Sequence, residues 1–474
     1  MTPIPGPIFL LALPLVAALV TYLVRRWEAA AAAVSALATA SLALLCIRLP
    51  LDRSAFVLGQ EVAFGRPVVL AGRTLMLDPA GQSWLAFLFA LATLSFLLAW
   101  RLRQGHLFFS ISFVILSLYV LVALLQTFSL AVLVLAMSAT PGVFLIQGDR
   151  PGSVQGGQRY LLVTLLAVPL LLSAAWLVGQ AQLAPENAEP ALSAVEGMAR
   201  QALLPAALGF GLLLAIFPFG TWMPALAADA PPMASAFLFT AGQAVAVFPA
   251  LMFLHQATWL LHDPATLEVV QLAGLVTVIA GGLMAAVQRD FGRLFGYAAL
   301  SDLGYLLLAF GMGGSQAVIL ALLHMANRSV PIVLMAACVA VLRNRTGSDA
   351  FSRLRGVARR LPIATAGLVI GGLALAGFPM TAGFATHWGI SRAVASAHWS
   401  WALLLLASSG GIVIGLLRGL SSMLGEEPRD DVTRQPVVAS VLIVIVAGLV
   451  IALGLYPQLY LPPIQRAVEA FALF

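Results

Sequence analysis

Apolar runs close to the ~20 residues a helix needs to cross bilayer hydrocarbon recur along the whole chain, separated by short polar stretches. They centre on 6–24, 28–47, 81–100, 107–125, 129–147, 160–180, 202–220, 233–260, 268–288, 293–312, 315–342, 362–392, 399–423 and 436–457, which is fourteen segments. The stretch 49–80 has another rhythm. Short runs (Phe56-Val57-Leu58, Val62-Ala63-Phe64, Val68-Val69-Leu70) are broken by Gly59, Gly65 and Gly72, which predicts a small hairpin at the membrane surface.

Some segments contain breakers. Pro218, Pro224, Pro231 and Pro232 come ahead of the eighth segment, and Gly377, Pro379 and Gly383 interrupt the twelfth. Lipid tolerates such breaks only where protein or water satisfies the freed backbone groups. Any one break reads most simply as a packing kink. Paired breaks in two halves of a chain point to inverted repeats around a midplane site.

Composition confirms the solvent. Of 474 residues, 61% are apolar and 9% charged, with a mean hydropathy of +1.00, against about 25% charged in soluble domains. This excludes soluble enzymes and disordered chains and gives an all-α integral membrane protein of about 14 helices. The 25 basic residues are all arginine. An arginine stays protonated in proteins, so no mechanism here can use a titrating lysine. Loops after odd-numbered segments hold 17 arginines, Arg25 and Arg26 among the first and Arg429 and Arg434 among the last. Loops after even-numbered segments hold five: Arg48, Arg53, Arg66, Arg73 and Arg200. That bias predicts cytoplasmic odd loops and both termini outside, in a bacterial inner membrane. The net charge of +6 is thus an orientation signal and does not imply nucleic acid. The first run ends in Arg25-Arg26 and reads as a retained span.

Chemistry is sparse. Cys46 and Cys338 sit in apolar runs without metal-ligand spacing, so neither a disulfide nor a thiolate metal site is expected. No phosphate loop, haem pair, iron–sulfur cluster or dinucleotide fingerprint occurs. The expectation is no cofactor, no metal and no catalytic residue.

Four motifs carry a resemblance: Phe217-Pro-Phe-Gly-Thr-Trp-Met-Pro224 followed by Pro231-Pro-Met-Ala-Ser235; Asp290-Phe-Gly-Arg-Leu-Phe-Gly-Tyr297 leading to Ser301-Asp-Leu-Gly-Tyr305; His324-Met-Ala-Asn-Arg328; and Ala376-Gly-Phe-Pro-Met-Thr-Ala-Gly-Phe-Ala-Thr-His-Trp388. Leu77-Asp78 fits as well. In order and spacing they resemble the antiporter-like membrane subunits of respiratory complex I, subunits N and M, and of multi-subunit sodium/proton antiporters. The resemblance implies two inverted five-helix bundles with broken helices at segments eight and twelve, and a midplane row of ionisable residues that conducts protons. It divides the chain into 1–125 (four segments with a surface hairpin near 55–78), 107–261 (first bundle), 266–423 (second bundle) and 424–474 (last segment and tail).

The family's ionisable residues do not carry over. Its segment-five glutamate falls on Ala136, its segment-seven lysine on Leu213, its segment-eight lysine on Gln243 and its final lysine or glutamate on His387. The histidine of its Pro-Phe-His run is Gly220. Ala136 and Leu213 hold no proton, and Gln243 can hydrogen-bond water but not titrate, so the first bundle is disabled as a lysine relay. The second keeps Asp302, His324, Arg328 and His387. Charges at bilayer depth cost roughly 2.5–3.5 kcal/mol each on insertion scales and need a reason. His324 and Arg328, four apart, share a helix face, which predicts an Asp302–Arg328 pair beside His324. Its role is either a buried pair locking helices together or a remnant proton or ion path through His324 and His387, histidine being exchangeable near neutral pH. His255 and His262 are expected at an interface, and Trp388, Trp399 and Trp401 in aromatic belts.

The expected partners are lipid and other membrane subunits of a complex I-like or hydrogenase-like translocating assembly, in which this chain is scaffold or coupling element. The alternatives are the membrane subunit of a two-component inorganic-carbon uptake system and a stand-alone secondary transporter.

Overall fold

The computed structural model describes residues 4–52, 54–57, 59–70, 72–148, 154–182, 197, 200–426 and 432–471. Arg53, Arg150 and Arg429, counted in the charge bias, lie outside them. A helix stands at each of the fourteen apolar segments. Among the described residues eleven helices are long and apolar enough to cross a membrane, while Phe108–Leu124, Leu203–Leu213 and Pro362–Leu375 are shorter. The chain is an integral membrane protein.

The N-terminal part comprises α1 (Gly6–Leu23), α2 (Glu28–Arg48) and α3 (Pro79–Leu98). Between α2 and α3 the Gly-punctuated stretch forms two hairpins rather than one: β2 (Ser54–Val57) with β3 (Gln60–Ala63), and β4 (Val68–Leu70) with β5 (Arg73–Leu75). A short β1 (Ile4–Pro5) adds parallel to β3, an edge too short for alternation to reveal. Asp78 accepts from the Gly81 amide and caps α3, which gives the Leu77-Asp78 motif its local role. Gln82 donates to the carbonyls of Cys46 and Leu49, pinning the end of α2.

Two sets of helices then follow in the same order. The first is α4 (Phe108–Leu124), α5 (Phe128–Gln147), α6 (Val154–Gln182), α7 (Leu203–Leu213) continued after a break by α8 (Trp222–Asp229), and α9 (Pro232–Gln256). The second is α10 (Pro264–Val287), α11 (Phe291–Gly311), α12 (Gly314–Thr346), α13 (Pro362–Leu375) continued after a break by α14 (Phe384–Ala397), and α15 (Trp399–Met423). The first break therefore belongs to the seventh segment, not the eighth. Pro224 and Pro232 sit in first helical turns, where the missing amide costs nothing, and they start helices rather than interrupt one. The eighth segment is a single helix widened by a π turn at Leu238–Gly242. Asp263 and Asp290 cap α10 and α11. Helices α16 (Val437–Leu455) and α17 (Leu461–Ala470) complete the chain, and Phe471 wedges edge-on against Trp84 and Phe248.

The 33-residue α12 is the axis of the molecule. It is buried almost throughout and packs on α3, α9, α11, α13, α14, α16 and α17. Small residues let the helices around it close on one another. A Cβ on Gly304 would lie 2.7 Å from the Gly274 carbonyl, and one on Gly282 would lie 2.0 Å from the Ser408 hydroxyl, the close approach that helix pairs in lipid require. Gly410, by contrast, faces open space.

Candidate functional site

Three helices bring the polar residues of the second set together. Asp302 lies on α11, His324 and Arg328 on one face of α12, and Thr386 and His387 two residues into α14, beyond the break. All are buried. Arg328 Nε donates to Asp302 Oδ2 at 2.7 Å, both side chains 1% exposed. The remaining guanidinium nitrogens donate to two carbonyls: Nη2 to Ala299 at 2.9 Å, and Nη1 to Phe239 at 3.2 Å. A buried arginine needs such a full set of acceptors, because the desolvation cost of an ion pair is repaid only with good geometry and further hydrogen bonds.

The Phe239 carbonyl is available because of the π turn. In a regular helix the Gln243 amide would bind it; here that amide reaches back to Leu238. Widening by one residue therefore leaves the Phe239 oxygen for Arg328. This links α9 of the first set to the ion pair of the second. π turns at functional positions follow this logic.

The two histidines flank the carboxylate. His324 Nε2 is 2.9 Å from the Asp302 main-chain carbonyl and 3.6 Å from Asp302 Oδ1, while its Nδ1 is 3.0 Å from Thr386 Oγ1. His387 Nδ1 lies 2.9 Å from the Gly383 carbonyl, and its Nε2 lies 3.4 Å from Asp302 Oδ1. A carbonyl only accepts, so His387 carries its hydrogen on Nδ1. Its Nε2 and Asp302 Oδ1 are buried without a hydrogen-bond partner. Tyr305 stacks obliquely on His387 with ring centres 4.1 Å apart. The break fixes that ring: Gly377 has φ +73°, and a Cβ there would lie 2.6 Å from His387 Cγ.

The equivalent region of the first set is neutral. Gln243 and Leu213 line one small cavity of about 20 Å³ together with Tyr119, Tyr160, Thr164 and Trp222, room for roughly one water by the 10–15 Å³ that a water centre needs. Ala136 is buried beside it on α5 but does not line it; its neighbour Leu135 does. Gln243 Oε1 and Trp222 Nε1 have no hydrogen-bond partner. Gly220 leaves no space for a side chain, since a Cβ would lie 2.2 Å from the Ala215 carbonyl and 2.5 Å from Leu300 Cδ1. Sequence reading brought Asp302, His324, Arg328 and His387 into view, and the structure joins them in one cluster, while Gln243 lies apart from it beyond the π turn. Thr386 and the Phe239 carbonyl were missed. A hydroxyl in an Ala-Thr-His run was a weak signal, and a freed carbonyl leaves none.

A second arginine of α12 also reaches the first set. Arg343 donates to the carbonyls of Ala227 and Ala230 at the end of α8 and pairs with Asp349 at 2.7 Å. Asp349 in turn accepts from the Gly292 amide. His255 and His262 are exposed at the end of α9 and just beyond it, and Trp388 and Trp399 are exposed too, while Trp401 is half-buried.

The molecule thus belongs to the class of polytopic α-helical membrane proteins with two like-ordered helical sets, each with a broken fourth helix, around a buried polar centre. Residues 125–415, more than half of the chain, match the transmembrane family described as NADH:quinone oxidoreductase/Mrp antiporter, and the chain belongs to that family. Subunit N of the NADH-quinone oxidoreductase of Cereibacter sphaeroides is 31% identical over 344 residues, covering 70% of this chain and 72% of that one. Among solved structures, a chain of the archaeal membrane-bound sulfane sulfur reductase aligns over 98% of this chain and 97% of its own, with a TM-score of 0.80 at 16% identity. A chain of the Mrp complex of a Dietzia species gives 0.79 at 16% identity, covering 98% and 96%. A chain of Thermus thermophilus respiratory complex I gives 0.70 at 23% identity, covering 96% and 98%. These likenesses are of fold.

Proposed function

We propose that the chain is an antiporter-like membrane-arm subunit of a multi-subunit, complex I-like translocating assembly, acting as scaffold and coupling element and not as a lysine-relay pump through its first bundle. The observation that carries this reading is the contrast between the two sets. Where the family keeps an amine relay, the first set has Gln243 and Leu213 around a one-water cavity. The second set retains a buried charge pair, and Arg328 ties it to the helix that carries Gln243. A displacement of α9 would change the hydration and geometry of the pair, which is what coupling between bundles requires; a remnant ion path, if used, runs through the second set.

On this reading residues 107–261 and 266–423 are the two bundles. Because each has five crossings, an odd number, the second enters the membrane from the opposite face and the repeats are inverted. With fourteen crossings both termini would share one side, and the arginine bias supports the outer face of a bacterial inner membrane for it. Partner subunits carry the redox or catalytic chemistry.

The test is extraction of the native membrane in mild detergent, followed by identification of what migrates with the chain. Other polytopic and iron–sulfur subunits are expected. Co-migration with a zinc-containing soluble protein alone would favour inorganic-carbon uptake instead, and a chain that transports when purified by itself would overturn the assignment.

A further inference from the structure

We propose that the outer flank of α14, centred on Trp388 and Arg392, is the seat of a neighbouring α-helical membrane subunit that brings hydrogen-bond acceptors to it. The proposal rests on the multi-subunit reading above and adds where on this chain such a neighbour sits.

Depth makes this flank unusual. The two arms of the second broken helix, α13 and α14, have 14 residues each, so the break lies near the middle of the membrane. Trp388 stands roughly 6 Å past the start of α14 and about 14 Å short of its end, at 1.5 Å per residue. Arg392 follows one turn later on the same face, still about 8 Å short of that end. Both side chains are exposed, and among the described residues neither has a hydrogen-bond or ion-pair partner. Hydrocarbon offers no acceptor to an indole N–H or a guanidinium. Trp388 is too deep for the headgroup belt that tryptophan ordinarily occupies. A helical Cα–Cβ bond tilts toward the N-terminus, which on α14 is the break, so the Arg392 stem sets out toward the middle of the membrane.

The flank is also built as a contact. Phe384 lies one turn before Trp388 with its ring near parallel, centres 6.3 Å apart at 21°, which holds the indole in one orientation. A pre-organised tryptophan beside an arginine is the combination that carries most of the binding energy at protein interfaces. The first set shows what takes such a position. There α8, the helix after the break, packs on α6 of its own set and on α11 of the other. Arginine and main-chain oxygen join the two: Arg343 donates to Ala227 and Ala230 at the end of α8, as Arg328 donates to Phe239 on α9. Helix α14 packs on α11, α12 and α15 of its own set and leaves Trp388 and Arg392 facing outward. The neighbour that fits is a transmembrane helix with uncommitted carbonyl or carboxylate oxygens at the depth of Arg392.

The test uses the native assembly in its own membrane. Cys46 and Cys338 are buried, so a benzophenone maleimide labels an introduced cysteine selectively. Irradiated Trp388→Cys and Arg392→Cys are expected to form adducts with one and the same polytopic polypeptide, attached within an apolar segment of it. Val394→Cys, on the buried face of α14, should form none. Trp388→Ala combined with Arg392→Ala should reduce that polypeptide's migration with the chain in mild detergent at least about tenfold, with thermal unfolding of the purified chain unchanged. Adducts with lipid alone, or undiminished migration of the double variant with its partners, would overturn this seat while the assembly stands. If no membrane subunit migrates even with the natural chain, the assembly and the seat fall together.

Discussion

Arg328 of α12 donates a hydrogen bond to the main-chain oxygen of Phe239, an acceptor that exists because the helix around it is wound one residue too wide. Arg328 also neutralises Asp302, so one side chain holds the charge pair of one bundle and the backbone irregularity of the other. Removing either charge strands its partner in low dielectric. Arg328→Gln and Asp302→Asn are each expected to lower stability by about 3–5 kcal/mol, and the double variant by less than either single one. Thermal unfolding in detergent, arranged as a double-mutant cycle, measures this; additive losses would show that the two groups do not interact.

In the first bundle, Gln243→Leu removes a buried acceptor that lacks a partner. Stability should change by no more than about 1 kcal/mol, since deleting an unsatisfied group costs little. Gln243→Lys alone should destabilise the fold, because among the described residues no carboxylate lines the cavity to receive the charge. Adding Ala136→Glu and Leu213→Lys supplies a family-like set, and only that triple variant is expected to add proton flux through the first bundle. Uptake by proteoliposomes carrying a pH-sensitive dye checks it. Comparable flux attributable to the first bundle of the unaltered chain would contradict the disabled relay.

The helix break depends on absent side chains. Gly377→Ala meets both a left-handed backbone and the His387 ring and should cost about 1–3 kcal/mol. Gly220→His, which would restore the family residue, should prevent correct packing of α8 because the Ala215 carbonyl occupies its Cβ position. Expression yield and monodispersity report both.

Arg343→Ala strips the Ala227 and Ala230 carbonyls of a donor and leaves Asp349 unpaired by charge. A loss of about 1–3 kcal/mol per stranded group is expected, with faster proteolysis between α12 and α13. Arg343→Lys should recover only part, since an ammonium lacks the fork that spans two carbonyls.

The two capping aspartates titrate in opposite senses. Hydrogen bonds from Thr266 hold the Asp263 carboxyl below its usual value; its contribution is present above the unfolded value near 4 and fades as pH falls through the lower folded value. Burial holds Asp290 above its usual value, so stability declines as pH rises from that unfolded value through the folded one. Comparing Asp263→Asn with Asp290→Asn across pH 3–6 should flatten one slope each, of opposite sign.

Hydropathy located fourteen apolar helices among the described residues, because lipid demands long runs and leaves little else to decide, but it passed over the short α8. The breaks were harder. Pro218, Pro224 and Pro232 look alike as letters, yet Pro224 and Pro232 open helices and the seventh segment yields. The Asp302–Arg328 pairing was legible from helical spacing and the cost of a bare charge. His387 meeting Asp302 was not, since that contact depends on how α14 re-enters after the break. A winding fault leaves no composition behind, so the role of Phe239 was invisible.

That fault makes the tie between bundles a matter of chain length and not of residue type. Deleting one amino acid from 238–242 would let the coil close regularly and reclaim the oxygen now lent to Arg328, while the helix downstream to Gln256 keeps nearly its present facing. Substitution scanning along this stretch would therefore understate its importance, whereas a one-residue deletion would expose it.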